Sequence, residues 1–288
     1  MKRNYGMTYA SPVFAWLNFF FVIPLGIICV YSLMQKGLYG GVVGHFTFDA
    51  YRSLANSTLL GIAAVTTYIA AMSTALMIGL ALPAAYFIAR SRHKNLWLLL
   101  VIVPFWTNFL IRIYAWIAIL GNNGFLNHLL LSLGWIHDPV QFLYNQNAVI
   151  IVTVYTYLPF AILPLFSAIE KFDFSLLEAA RDLGATKWQS IQKILLPSIR
   201  GGLTTAILFT FIPSFGSYAI PQIIGGRDSL MLGNVIAREL TVTRNWPLSS
   251  SISVMLTFIT ALGVLLFVKS QGNVAERLKK IREEDVEG

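Results

Sequence analysis

The chain has 288 residues, of which 56% are hydrophobic and only 12% charged, with a mean hydropathy of +0.67 and a net charge of +8. A water-soluble domain carries about a quarter charged residues, so this composition excludes a soluble globular protein and places most of the chain in lipid. The single cysteine, Cys29, excludes an internal disulfide, and no Lys/Arg-rich stretch with interleaved aromatics offers a nucleic-acid surface, so the positive charge is read as membrane topology.

A helix rising about 1.5 Å per residue needs about 20 apolar residues to cross a bilayer. Six stretches qualify, near Val13–Met34, Val65–Ala89, Leu96–Leu120, Ala148–Glu170, Gly201–Gln222 and Ser250–Val268. The first follows Met1-Lys2-Arg3, is too long for a signal h-region, and is expected as an uncleaved span. Between spans three and four, Phe125 to Leu131 is too short to cross and is expected as a helix on the outer surface. With both termini in the cytoplasm, inner segments hold fifteen of the 21 Lys and Arg residues, outer segments hold five, and Arg112 lies within a span. That bias follows the positive-inside rule. The expected architecture is an all-α membrane protein of six transmembrane helices with cytoplasmic N and C termini. Residues 1–64 form an N-terminal tail, first span and outer loop. Residues 65–268 form the core, with an inner loop at 171–200, and residues 269–288 form a cytoplasmic tail.

The inner loop reads as two short amphipathic helices. Ser175-Leu176-Leu177-Glu178 has the form of a capping box, as does Thr186-Lys187-Trp188-Gln189. Leu176, Ala180 and Leu183 share one face by i, i+4, i+7 spacing, Gly184 stops the first helix, and Trp188, Ile191 and Leu195 form the apolar face of the second. Pro197 marks the entry into span five. Such a hairpin either packs on the inner ends of its own spans or docks a cytoplasmic partner.

Glu178-Ala179-Ala180-Arg181-Asp182-Leu183-Gly184, followed after nine residues by Ile194-Leu195-Leu196-Pro197, resembles the EAA signature of ATP-driven (ABC-type) importer permeases. The resemblance implies a coupling helix seated in a groove of a separate ATPase subunit. Glu178, Ala179 and Gly184 would be its contact core, with Ala180, Asp182 and Trp188 beside them.

No phosphate-cradling G-x-x-x-x-G-K-[ST] sequence is present, so ATP and Mg would bind the partner ATPase and this chain is expected to hold no cofactor. His45, His93, His128 and His137 are scattered, with no metal cluster and no nucleophile–base pair, so an enzyme is not expected. All thirteen Asp and Glu residues lie in loops, tails or span ends, which argues against a proton- or sodium-coupled transporter. Arg112, about 25 Å up its helix from Leu96, sits near the outer interface, where it snorkels, pairs with another subunit or gates cargo. Pro159 and Pro164 are expected to break span four, and Pro213 and Pro221 span five. Around them Trp106, Asn108, Tyr155, Tyr157, Ser214, Phe215 and Tyr218 either fill space between helices or line a path for a cationic cargo, whose ammonium groups ring faces attract.

Further stretches are similar to spermidine/putrescine permease subunits of the PotB and PotH type: Phe46-Thr47-Phe48-Asp49-Ala50-Tyr51, Val103-Pro104-Phe105-Trp106-Thr107-Asn108-Phe109-Leu110-Ile111-Arg112, Glu170-Lys171-Phe172-Asp173, Ile220-Pro221-Gln222-Ile223-Ile224-Gly225-Gly226 and Leu232-Gly233-Asn234-Val235-Ile236. This resemblance implies a type I importer permease fold in a bacterial inner membrane and half of a translocation pathway. It implies as partners a second permease of the PotC or PotI type, two copies of an ABC ATPase, an external polyamine-binding protein and membrane lipid. Gln222 stands where many relatives carry an acid, so the cation-binding carboxylates would belong to the partner permease. The alternatives are the same machine carrying iron, thiamine, an opine or an anion, and an ATP-independent channel or secondary transporter.

Overall fold

The computed structural model describes the backbone of residues 5–287 and the side chains of residues 11–266 and Lys269. The helices are α1 (Tyr5–Leu17), α2 (Ile23–Ser32), α3 (Asp49–Leu54), α4 (Ser57–Arg90), α5 (Lys94–Ile102), α6 (Phe109–Leu120), α7 (Phe125–Ser132) and α8 (Gln146–Glu170), followed by α9 (Ser175–Asp182), α10 (Lys187–Ser190), α11 (Leu196–Ser198), α12 (Arg200–Phe215), α13 (Ala219–Ile224), α14 (Leu232–Thr241) and α15 (Trp246–Glu287). Two short strands, β1 (Met34–Lys36) and β2 (Val42–Phe46), are also present. Among the described residues, five helical stretches are long and apolar enough to span. A sixth exists if Lys187–Ser198 and Arg200–Phe215, bent by 75°, are one span.

The chain divides into two compact units. The first joins the stretch up to Ile62 to Leu232–Ala261. Its first span is one helical run interrupted by a π-helical turn at Asn18–Val22. The all-helical expectation misses an antiparallel hairpin here, with Lys36 opposite Val42 and a bulge between Met34 and Gln35. The hairpin turns because Gly40 and Gly41 both take positive φ, a conformation that costs glycine nothing. The Gly41 N–H donates to the Arg244 carbonyl at 2.9 Å. Ser32 and Tyr51 hydroxyls hydrogen-bond at 2.9 Å, and Tyr31 stacks on Trp246 with centroids 6.0 Å apart.

The second unit, Ala63–Met231 with the stretch from Leu262, holds the main core. Its centre is α8, where Val149, Val152, Leu165 and Ile169 are fully buried; their spacing places them on the helix faces turned to neighbours. Pro159 and Pro164 do not break it, contrary to the expectation: α8 runs unbroken over its 25 residues. A proline removes one N–H from the helical ladder, and the flanking turns carry the helix through.

Span five is interrupted as expected, in the gap between α12 and α13 that Pro213 and Pro221 flank, and it is also bent at its start. A π-helical turn at Ile191–Leu195 leads into α11, the chain bends at Ile199, and α12 ends at Gly216 with Pro213 inside it. Span three, expected as one helix over Leu96–Leu120, is split. After α5 the chain passes through a 3₁₀ turn, Val103–Trp106, and an extended residue, Thr107, before α6 begins. α6 and α7 together make a 24-residue apolar stretch, Phe109–Ser132. Asn127 of α7 is fully buried. It staples the following loop, donating to the Gly121 and Val140 carbonyls and accepting from the Val140 N–H.

Candidate functional site

Two regions of the second unit carry the residues that the sequence singles out. The first is the α9–α10 hairpin. Its first helix does not start with the expected box of Ser175 and Glu178: the Asp173 carboxylate accepts the Ser175 N–H at 3.0 Å, leaving Glu178 directed elsewhere. The expected box at α10 is formed, with Thr186 and Gln189 satisfying each other's backbone N–H groups. Between them Gly184 has φ +91. Its N–H bonds to the Arg181 carbonyl and the Ala185 N–H to the Ala180 carbonyl, which is the Schellman closure of a helix end.

Leu177, Ser190 and Leu195 turn inward and are buried. The opposite face is bare: Leu176 is 49% exposed, Leu183 90% and Trp188 64%. Trp188 therefore does not share a face with buried Leu195, as its spacing suggested. Glu178, Ala179, Asp182 and Gly184 are exposed, and Ala180 is half-buried. Asp182 closes α9 at the end where the helix dipole disfavours an anion, and it makes no ion pair among the described residues. Beneath the hairpin a cleft of ≈ 550 Å³ is lined by Tyr86, Arg90, Glu178, Arg181, Lys187 and Ile191, among others. Arg90 donates to the Tyr86 hydroxyl at 3.2 Å and lies over the Phe174 ring at 5.3 Å.

The second region forms around the split in span three. Each residue of Pro104-Phe105-Trp106-Thr107-Asn108 has a distinct task. Pro104 cannot continue the ladder. The Thr107 hydroxyl donates to the Pro104 carbonyl at 2.7 Å, and the Asn108 side-chain oxygen, Oδ1, caps α6 by accepting the Leu110 N–H at 2.9 Å. Trp106 is left projecting, 77% exposed. Phe105 meets Phe160 edge-on at 5.2 Å, and Tyr155, 41% exposed, meets Trp116 at 5.4 Å.

Arg112 does not snorkel. It is 9% exposed, with its guanidinium 4.7 Å from the Phe105 centroid and 5.9 Å from that of Phe109. Tyr157 lies within electrostatic reach of it and of Ser217, in the break between α12 and α13. Ser217 was not singled out by the sequence; its place directly after Gly216 at a helix end was the available signal. Ser214 and Phe215 are buried. The Ser214 hydroxyl donates to the Thr210 carbonyl at 2.6 Å, and Phe215 stacks on Phe211 at 5.4 Å. Tyr218 is 47% exposed. The structure thus brings Trp106, Tyr155, Tyr157 and Tyr218 to open or half-open positions, uses Asn108 as a cap, and holds Ser214 and Phe215 in packing.

The fold and these two regions define a membrane-embedded transport subunit. Residues 77–280 match the model of the family described as binding-protein-dependent transport system inner membrane component, and the chain belongs to that family. It is homologous to the spermidine/putrescine transport system permease protein PotB of Haemophilus influenzae, with 36% identity over 263 residues covering 91% of each chain. Such homologues are permease subunits, not enzymes. Its fold is shared by a bacterial ABC transporter that imports the acidic polysaccharide alginate, with a TM-score of 0.75, 17% identity and coverage of 93% and 96% of the two chains. It is shared equally by the bacterial alginate transporter in complex with an alginate pentasaccharide-bound periplasmic protein, with a TM-score of 0.72, 17% identity and coverage of 91% and 92%.

Proposed function

We propose that this chain is the permease subunit of an ATP-driven polyamine importer, forming half of the translocation pathway. Its α9–α10 hairpin docks a cytoplasmic ATPase. The observation that carries this reading is the bare Leu176, Leu183 and Trp188 face on a hairpin with the EAA spacing: apolar side chains left open beside water mark a protein contact. The positive-inside bias supports cytoplasmic termini and hairpin. The partners are a second permease of the PotC or PotI type, two ATPase copies that hold ATP and Mg, and an external binding protein. Cargo passes the projecting Trp106 and the half-open rings of Tyr155, Tyr157 and Tyr218, whose faces attract ammonium groups.

Uptake of labelled spermidine by vesicles holding the whole complex tests this. Uptake is expected only with ATP on the side of the ATPase. Spermidine uptake without ATP would overturn the reading, and ATP-dependent uptake of another solute alone would overturn only the cargo. One observation favours a second reading, the same machine with an anionic cargo: the cation buried nearest the pathway is Arg112.

A further inference from the structure

Arg112 is buried to nine-tenths of its surface, yet its Nε has no hydrogen-bond partner. No ion pair to its guanidinium is made among the described residues. The faces of Phe105 and Phe109 offset only part of the cost of holding a charge inside a membrane without an opposite charge. By sequence none of the thirteen carboxylates falls in the middle of a span, and none among the described residues pairs with Arg112. The surroundings are also unsealed: Trp106, Tyr155 and Phe160 remain 77%, 41% and 38% exposed.

We infer that Arg112 is completed by a carboxylate of the second permease chain, making an ion pair across the permease–permease contact. A planar guanidinium presents paired N–H groups that match a carboxylate in two parallel hydrogen bonds, and Nε is one of the donors left over. The pair has a consequence that rests on the polyamine reading. A bare guanidinium would repel a di- or tricationic cargo, while a neutralised one does not, and the same carboxylate can pass from the guanidinium to a cargo ammonium as the pathway opens.

The test is made in the assembled complex, with this chain tagged and no cargo present. Arg112→Gln is expected to lower the second permease recovered with it by more than about tenfold, as the loss of a buried partner implies, while membrane levels of this chain stay normal; Arg112→Lys, which keeps the charge but loses the paired N–H groups, retains an intermediate share. Arg112→Glu is expected to be rescued by acid-to-Lys or acid-to-Arg changes selected in the second permease. Full recovery of the second chain with Arg112→Gln, with or without loss of uptake, would overturn the pairing, as would suppressors of Arg112→Glu found only within this chain. Because recovery is read without cargo, the pairing and the polyamine assignment fail separately.

Discussion

Gly202 of α12 lies so close to Ala168 of α8 that a Cβ built on it would stand 2.4 Å from the Ala168 Cβ and 3.1 Å from the Pro164 carbonyl oxygen. In lipid, where apolar surface gains nothing by leaving the equally apolar lipid tails, helices associate through such close approaches. Gly202→Val therefore forces α8 and α12 apart. A loss of about 1–3 kcal/mol is expected, read as a lower midpoint of thermal unfolding in detergent, and Ala168→Gly should return part of it.

Gly184 separates backbone from packing. Nothing lies within 4 Å of a Cβ at this position, but its φ is +91. Gly184→Val is strained by about 1–2 kcal/mol through the backbone alone and should re-aim Leu183 and Trp188. Uptake is expected to be lost with the protein still in the membrane, whereas Gly184→Asn, which tolerates a left-handed backbone, keeps more of it. Equal uptake by the Val variant and the native chain would remove the hairpin from coupling.

Glu178 contributes the carboxylate of a cleft that also gathers Arg90, Arg181 and Lys187. Glu178→Lys turns the cleft wholly cationic and is expected to abolish uptake, measured in the assembled complex, without reducing membrane insertion. Unchanged uptake would assign Glu178 to the solvated surface.

Hydrogen bonds from the Ser175 hydroxyl and backbone N–H hold the Asp173 carboxyl below its usual value of 3.8. A lowered folded value means that the support for the start of α9 is complete above the unfolded value and disappears as pH falls through the folded one. Amide exchange at Ser175 to Leu177, corrected for its intrinsic rate, should quicken only in acid below the ordinary carboxylate range. Asp173→Ala should show the quick exchange already at neutral pH.

Trp106 projects from a turn whose neighbours hold it by caps rather than by packing. Trp106→Leu is expected to raise the KM for spermidine roughly two- to fivefold, the size of one exposed ring–ammonium contact, and to leave stability unchanged. Unaltered uptake kinetics would return the residue to a packing or lipid-facing role.

Much of this was legible in the sequence because it depends on local chemistry. Hydropathy located the spans, Gly184 and Thr186 set their helix ends, and the EAA spacing located the hairpin. The sequence failed where a choice was settled by neighbours. Either Asp173 or Glu178 could satisfy the Ser175 N–H, and the closer carboxylate in the turn did so. Pro159 and Pro164 read as breaks yet leave α8 whole, whereas Pro104, followed by Thr107 and Asn108 as ready caps, stands where α5 and α6 part, and Pro213 and Pro221 flank the gap between α12 and α13. Ser214 read as a pathway hydroxyl, but its short side chain bonds back to the preceding turn. The burial of Arg112 depends on Phe105 and Phe109 folding over it, a tertiary fact that its distance along the span could not convey.

The central claim is that the bare face of α9 and α10 is covered by a cytoplasmic ATPase. Leu183→Cys in a Cys29→Ser chain, labelled with a membrane-impermeant maleimide, tests it most directly. Labelling is expected from the cytoplasmic side in membranes holding the permease chains alone, and strong protection once the ATPase is bound. Equal labelling with and without the ATPase, or labelling only from the opposite side of the membrane, would contradict it.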